Sequence, residues 1–338
     1  MRIAIVNDSV MAVEVLKRLV LKVPEYQVAW VAFDGAEAVS KCAVNTPDLI
    51  LMDVLMPKMD GVEATKQIMQ HYPCAILMVT ASVDRYAAQV FAAMGYGALD
   101  AINTPVLGTS QSTDGHTRLL KKIATIARLI GKFPSRSLTK QNKPHSPESK
   151  SLAPLIVIGA STGGPQALVK ILSQFPQDLS AAIVITQHID AEFTQGFVTW
   201  LDEQIDLPVE IASNGAVPQA GKVLVAGTNH HLVMHPNQSL GYSHEPLDCI
   251  YHPSIDVFFS SVAHNCTGKG VAVLLTGMGR DGAEGLKHLR TAGWHTIAQD
   301  KSTSVIYGMP KAAWEMGAVV EMLPIDAIAP TCVKQLYI

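Results

Sequence analysis

Charge is scarce in this chain: only 16% of its 338 residues are Asp, Glu, Lys or Arg, against 48% apolar residues. That balance excludes a disordered or collagen-like protein and leaves enough apolar surface for substantial cores. No apolar run approaches the ~18–20 residues that cross a bilayer. The opening Met1-Arg2-Ile3-Ala4-Ile5-Val6-Asn7-Asp8 puts charge where a signal peptide needs its apolar stretch. The expectation is a cytoplasmic protein that is not inserted in a membrane. A basic excess is also missing, because the net charge is -3, and this argues against a nucleic-acid partner. The five cysteines (Cys42, Cys74, Cys249, Cys266, Cys332) include no CxxC pair. Neither a disulfide framework nor a zinc ribbon is indicated, and they read as reduced core thiols.

At the usual ~100–200 residues per domain, the length suggests two domains. The composition breaks at 132–152, a stretch with three prolines, many Ser and Lys, and almost no apolar residues. It cannot bury enough surface to fold and reads as a linker between domains at 1–131 and 153–338. Residues 1–131 carry 12 basic and 12 acidic groups, the linker 5 and 1, and 153–338 carry 9 and 16. The three parts therefore have charges of 0, +4 and -7.

Before the linker, β-rich runs at 3–6, 28–33, 49–52, 75–79 and 98–102 alternate with amphipathic stretches, with Val10, Val13, Leu16, Leu19 and Val20 at helical spacing. This predicts a five-strand, doubly wound parallel α/β domain. After the linker, runs at 155–158, 182–186, 209–212, 222–226, 232–235, 271–276 and 296–299 predict a larger, mostly parallel, Rossmann-like α/β sheet. The closeness of 222–226 and 232–235 predicts a hairpin and so a mixed sheet.

Three strand ends of the first domain carry chemistry: Asn7-Asp8, Asp53 and Thr80. Carboxylates converging at the carboxyl edge of a parallel sheet suit Mg²⁺, and a nearby hydroxyl suits a phosphoryl group. Either aspartate alone is better read as a helix cap, but three strand ends together weaken that explanation. In the second domain, the strand at 155–158 runs into Gly159-Ala160-Ser161-Thr162-Gly163-Gly164-Pro165 and then a helical pattern. A serine flanked by glycines at such a turn exposes its hydroxyl beside helix N-terminal amides, whereas the spacing is not that of a dinucleotide cradle. Nine of the twelve histidines lie in 153–338. Among them, His188 follows an apolar strand as Ser161 does, and Asp281 lies in Thr276-Gly277-Met278-Gly279-Arg280-Asp281-Gly282 after another. Ser161, His188 and Asp281 thus meet at one sheet edge as nucleophile, base and orienting acid, in an order unlike that of α/β-hydrolases. Asp190 and Asp256 could orient the histidine instead, although Asp256 reads first as a helix-start residue. His231 and His235 on a strand would lie ~13 Å apart, too far to share a zinc, and a surface role is expected for them. Met309 reads as packing.

Residues 1–131 resemble a response-regulator receiver domain through Asn7-Asp8-Ser9, Asp53-x-x-Met56-Pro57-x-Met59-Asp60-Gly61, Thr80-Ala81 and Pro105. The resemblance implies Asp53 as phospho-acceptor, Mg²⁺ held by Asp8, Asp53 and the carbonyl of Leu55, and Thr80 as switch hydroxyl. Asn7, Ala101 and Thr104 depart from that pattern, which usually has an acid, an aromatic residue and a lysine there. Asn7 removes a charge from the metal pocket, and Thr104 removes the cation that would pair with the phosphoryl group. Residues 153–338 resemble the catalytic domain of the CheB family through Ile158–Pro165 as quoted, Gln187-His188, Pro253-Ser254-Ile255-Asp256-Val257 and 276–282. The runs MRIAIVNDSVMAVE and MGYGALDAINTP are most similar to the Wsp-type (WspF-like) branch.

That resemblance implies hydrolysis of glutamyl methyl esters on the cytoplasmic domain of a methylated chemoreceptor, releasing methanol, with deamidation of receptor glutamines as a second activity. Ser161, His188 and Asp281 would be catalytic, Met278 would supply an oxyanion amide, and Thr162 would line the site. No cofactor is implied for the esterase, and a CheA-type histidine kinase is the implied phosphodonor. A tether of ~20 residues lets the receiver reach the serine site, an arrangement that phosphorylation can shift. The rival classes are a small-metabolite hydrolase and a non-catalytic adaptor.

Overall fold

The computed structural model describes residues 1–83, 85–105, 112–131, 153–268 and 270–336. The chain divides into two compact units, Met1–Leu138 and Thr139–Ile338. The tether expected at 132–152 lies outside the described residues.

The first unit runs β1 (Arg2–Val6), α1 (Val10–Val20), β2 (Gln27–Ala32), α2 (Gly35–Val44), β3 (Leu49–Met52), α3 (Gly61–His71), β4 (Ala75–Thr80), α4 (Ala87–Gly95), β5 (Asp100–Asn103) and α5 (Ser112–Leu129). Its strands are parallel in the order β2-β1-β3-β4-β5. Every residue of β3 and β4 is buried, as strands covered by helices on both faces require. Ser9, Asp34 and Asp60 start α1, α2 and α3 by accepting from the amides of Ala12, Glu37 and Glu63. On α1 the apolar face is set slightly differently from the expected one: Val10 is 67% exposed, and Val15 is buried. The chain leaves β1 toward β2 on one side and β3 on the other, so Asp8 and Asp53 emerge where the winding reverses.

The second unit runs β6 (Leu155–Ala160), α6 (Gly164–Leu172), β7 (Ala182–Gln187), α7 (Ala191–Asp202), β8 (Val209–Ile211), β9 (Val223–Val225), β10 (His231–Met234), β11 (Leu240–Ser243), α8 (Ile255–Asn265), β12 (Val271–Leu274), α9 (Ala283–Thr291), β13 (His295–Gln299), α10 (Met309–Glu315), β14 (Glu321–Leu323) and α11 (Ile325–Leu336). Seven strands form a sheet ordered β14-β13-β12-β6-β7-β9-β8. All its pairings are parallel. Here the winding reverses between β6 and β12, the strands that precede Ser161 and Asp281. Phe258, Phe259 and Val262 of α8 pack in one core with Leu286 and Leu289 of α9.

The expected hairpin of 222–226 with 232–235 does not form. The fully buried β9 lies between β7 and β8, which occupy both of its edges and leave none for 232–235. The hairpin is instead β10 with β11, a separate antiparallel pair closed over Pro236-Asn237-Gln238, where Gln238 takes the left-handed φ of 67°. The large sheet is therefore parallel rather than mixed. All five cysteines are free, but only Cys42 and Cys332 are buried; Cys74, Cys249 and Cys266 are half-buried.

Candidate active site

The serine turn is built by close approach of two loops. Ser161 is 6% exposed. Its amide donates to the Thr276 carbonyl at 3.1 Å, while its own carbonyl accepts from the Gly164 amide at 2.7 Å and from Gln187 Nε2 at 3.0 Å. Gly163, at φ 78°, turns the chain into α6 through a backbone conformation that L side chains avoid. Gly277 admits the neighbouring loop: a Cβ there would lie 2.7 Å from Ser161 Cβ and collide with Met309 Sδ. Met309 is fully buried in the core, as its packing reading requires. Ser161 spends its amide on Thr276, but among the described residues the amides of Thr162 and Met278 are bonded to no acceptor.

His188 continues from β7, with its amide donating to Ala160 O at 3.0 Å. Its Nε2 lies 2.7 Å from Asp281 Oδ2. Asp281 is almost fully buried, which pushes its carboxyl pKa up. The His188 ring, the Ile255 amide and the Ser254 hydroxyl together outweigh this and hold it below the ordinary aspartate value. An ionised carboxylate can only accept, so Nε2 carries the imidazole proton and Nδ1 carries the lone pair. That Nδ1 is buried and, among the described residues, has no hydrogen-bond partner.

Asp281 docks on the N-terminus of α8. Its Oδ1 accepts from Ser254 Oγ at 2.7 Å and from the Asp256 amide at 3.2 Å, while Oδ2 accepts from the Ile255 amide at 2.7 Å. The positive end of the helix thus adds to the donors that hold this charge. Asp256 lies in the first turn of α8, as its helix-start reading required, and accepts from the Gly285 amide at 2.7 Å. Burial pushes its carboxyl up to about 8, with the Asp281 charge adding to the shift. The two neighbouring carboxyls are therefore shifted in opposite directions, Asp256 up and Asp281 down. Asp190 precedes α7 as its N-cap residue.

The surface role expected for His231 is wrong. Its side chain is 0% exposed; Nε2 donates to Pro246 O at 3.0 Å, and Nδ1 accepts from the Ser254 amide at 3.0 Å. His231 thus supports the residue that bonds Asp281. His235 is exposed. Nothing in strand periodicity could reveal the buried role, because three of the four residues of β10 are buried and the faces do not alternate.

In the first unit, Asp53 Oδ1 accepts from the Val54 amide at 2.7 Å and Oδ2 from Asn7 Nδ2 at 2.8 Å. The Leu55 amide and the Thr80 hydroxyl lie near enough to favour its charged form. Burial pushes Asp53 up to about 6, the bond from Val54 opposes this, and the Asp8 charge adds to it. The Asp8 charge is thus near enough to oppose ionisation of Asp53, and neighbouring carboxylates of this kind are hard oxygen donors that suit a divalent cation. Both polar ends of Asn7 are engaged: its amide donates to Asp53, and its Oδ1 accepts from the Ser9 amide at 2.8 Å. It offers this site donors and no free charge. Ala101 is buried in β5, and the Thr104 amide donates to Thr80 O at 2.7 Å.

Comparison with known proteins agrees with this architecture. The CheB methylesterase family matches residues 156–332, and the response regulator receiver domain family matches 3–109. A protein-glutamate methylesterase/protein-glutamine glutaminase of Mesorhizobium japonicum is 51% identical over 336 residues, covering 99% of this chain and 98% of that protein. One from Pseudomonas fluorescens strain Pf0-1 is 52% identical over 330 residues, covering 98% of each. The crystal structure of the Thermotoga maritima CheB methylesterase catalytic domain, 32% identical, superposes with a TM-score of 0.53 over 55% of this chain and 100% of that one. The chain belongs to the CheB methylesterase family and carries a response-regulator receiver domain ahead of the esterase unit.

Proposed function

We propose that this chain is a phosphorylation-controlled protein-glutamate methylesterase and protein-glutamine glutaminase acting on a methylated chemoreceptor. Ser161 Oγ attacks the γ-carbonyl carbon of the glutamyl methyl ester while His188 Nδ1 takes its proton. The Met278 amide, with Thr162 beside it, receives the negative oxygen of the tetrahedral intermediate. Collapse breaks the bond to methoxide, which leaves as methanol with the proton from His188. Water then attacks the acyl-serine, again giving its proton to Nδ1, and glutamate and free Ser161 result. With a glutamine side chain, ammonia leaves in place of methanol. Asp281 keeps Nε2 protonated throughout and balances the imidazolium charge.

In the receiver, a CheA-type histidine kinase supplies the phosphoryl group to Asp53. Asp8, Asp53 and the carbonyl of Leu55 would hold Mg²⁺, which when bound screens the charge brought by the phosphoryl group. The Thr80 hydroxyl would donate to that group, and residues 132–152 would serve as the tether between a receiver at 1–131 and an esterase at 153–338. The Wsp-type branch is favoured by the opening run and by Asn7 and Thr104.

The observation that carries the esterase reading is the bond between His188 Nε2 and ionised Asp281, which leaves Nδ1 as the base. Methanol release from a methylated cognate receptor tests it. Ser161→Ala is expected to lose roughly 10⁶-fold in kcat, and substantial residual release would overturn the assignment. Labelling with a phosphodonor and Mg²⁺ is expected in the wild type and absent in Asp53→Asn.

A further inference from the structure

Resting on the esterase reading above, we infer that Tyr251 is a positioning residue that holds the plane of the His188 imidazole. The bond to Asp281 secures only one atom of that ring, Nε2. A ring held at Nε2 and at its Cγ attachment keeps one freedom, rotation about the line joining those atoms. That rotation swings Nδ1, the atom proposed to take the serine proton and return it to the leaving group. The Tyr251 ring opposes the swing, since it lies against the imidazole with centroids 3.9 Å apart and planes 11° from parallel. The face of an electron-rich ring also favours the imidazolium formed when the proton arrives.

Tyr251 is anchored on the reacting side. Its hydroxyl donates to the Met278 carbonyl at 3.3 Å, tying the stack to the residue whose amide is proposed to receive the oxyanion. Three and four residues on, Ser254 and Ile255 bond Asp281. The stretch 251–255 therefore touches base, acid and oxyanion loop together, and Tyr251 is its contact with the base.

The test uses the full chain and methylated receptor, with kcat and KM measured separately for Tyr251→Leu and Tyr251→Phe. Displacing a reacting group by about 1 Å costs up to ~10²-fold, so Tyr251→Leu is expected to lose about 30-fold in kcat with KM within about twofold. Tyr251→Phe keeps the stacked face and is expected to stay within about threefold of the wild-type kcat, since it loses one hydrogen bond of ordinary strength. Wild-type kcat in Tyr251→Leu, a loss confined to KM, or equal losses in the two variants would overturn the inference. Thermal unfolding checks that both fold; if the leucine variant does not, Tyr251→Asn replaces it under the same expectations. Ser161→Ala assayed alongside separates the two ideas: methanol release that survives it removes the esterase reading and the role of Tyr251 together.

Discussion

Asp53 and Asp281 occupy equivalent places in the two units, each in the loop after a strand beside the point where a parallel sheet reverses its winding. Burial raises the pKa of both, and each accepts several hydrogen bonds. Their states are nevertheless opposite, with Asp53 pushed up to about 6 and Asp281 held below the ordinary value. The neighbours decide. Near Asp53 stands a second carboxylate, Asp8, while Asp281 faces the imidazole of His188, and burial pushes its own acidic neighbour Asp256 up. The carboxylate proposed to take the phosphoryl group thus lies near a second carboxylate, whereas the one proposed to balance an imidazolium has its donors built in.

The largest test of this contrast is Asp281→Asn. An asparagine keeps the size but presents an amide where His188 Nε2 needs an acceptor, so kcat for methanol release is expected to fall ~10³–10⁴-fold. A fall of less than tenfold would mean that the carboxylate serves α8 rather than catalysis. A smaller effect is expected at the other site. Asn7→Asp exchanges an amide donor for a third carboxylate, which calorimetric titration should report as about tenfold tighter Mg²⁺ binding, equivalent to ~1.4 kcal/mol. Unchanged affinity would show that Asn7 does not limit the pocket.

The smallest expected effect is in stability against pH. Asp53 and Asp256 both have folded-state values raised above the ordinary 3.8, so folding retains protons that the unfolded chain releases. Their contribution is therefore complete below about pH 4 and is lost as pH rises, through about 6 for Asp53 and about 8 for Asp256. Asp256→Asn keeps an acceptor for the Gly285 amide and should flatten the decline between pH 6 and 8 by a few degrees in Tm. Calorimetric scans at the two pH values would check this, and an unaltered slope would assign the decline elsewhere.

The sequence announced those parts of the fold that are apolar on both faces. The cores of β1, β3, β4, β6, β7 and β12 can be read from their runs of Ile, Val, Leu and Ala, and Ser161, His188 and Asp281 from their places just beyond β6, β7 and β12. By contrast, β14 could not be read: all three of its residues are only half-buried, and so short an edge carries no period. β11 and the true hairpin were hidden by a turn chemistry, Pro236 to Gln238, that lies one element later than expected. The support of Asp281 was hidden by distance, because Ser254 meets it across 27 positions and His231 meets Ser254 across 23. Contacts of that span leave no local pattern, and only the Pro253–Val257 resemblance pointed to the region.

Both margins of the seven-strand sheet are three residues long, β8 on one side and β14 on the other. Each also bears a glutamate: Glu210 is paired with Lys222 at 2.8 Å, and Glu321 lies 2.9 Å from His295. An incoming extended segment would find only a few backbone groups to pair with before meeting charge, too little to template further growth. For a chain in which apolar residues outnumber charged ones three to one, such short, charged margins limit edge-to-edge strand pairing along this sheet.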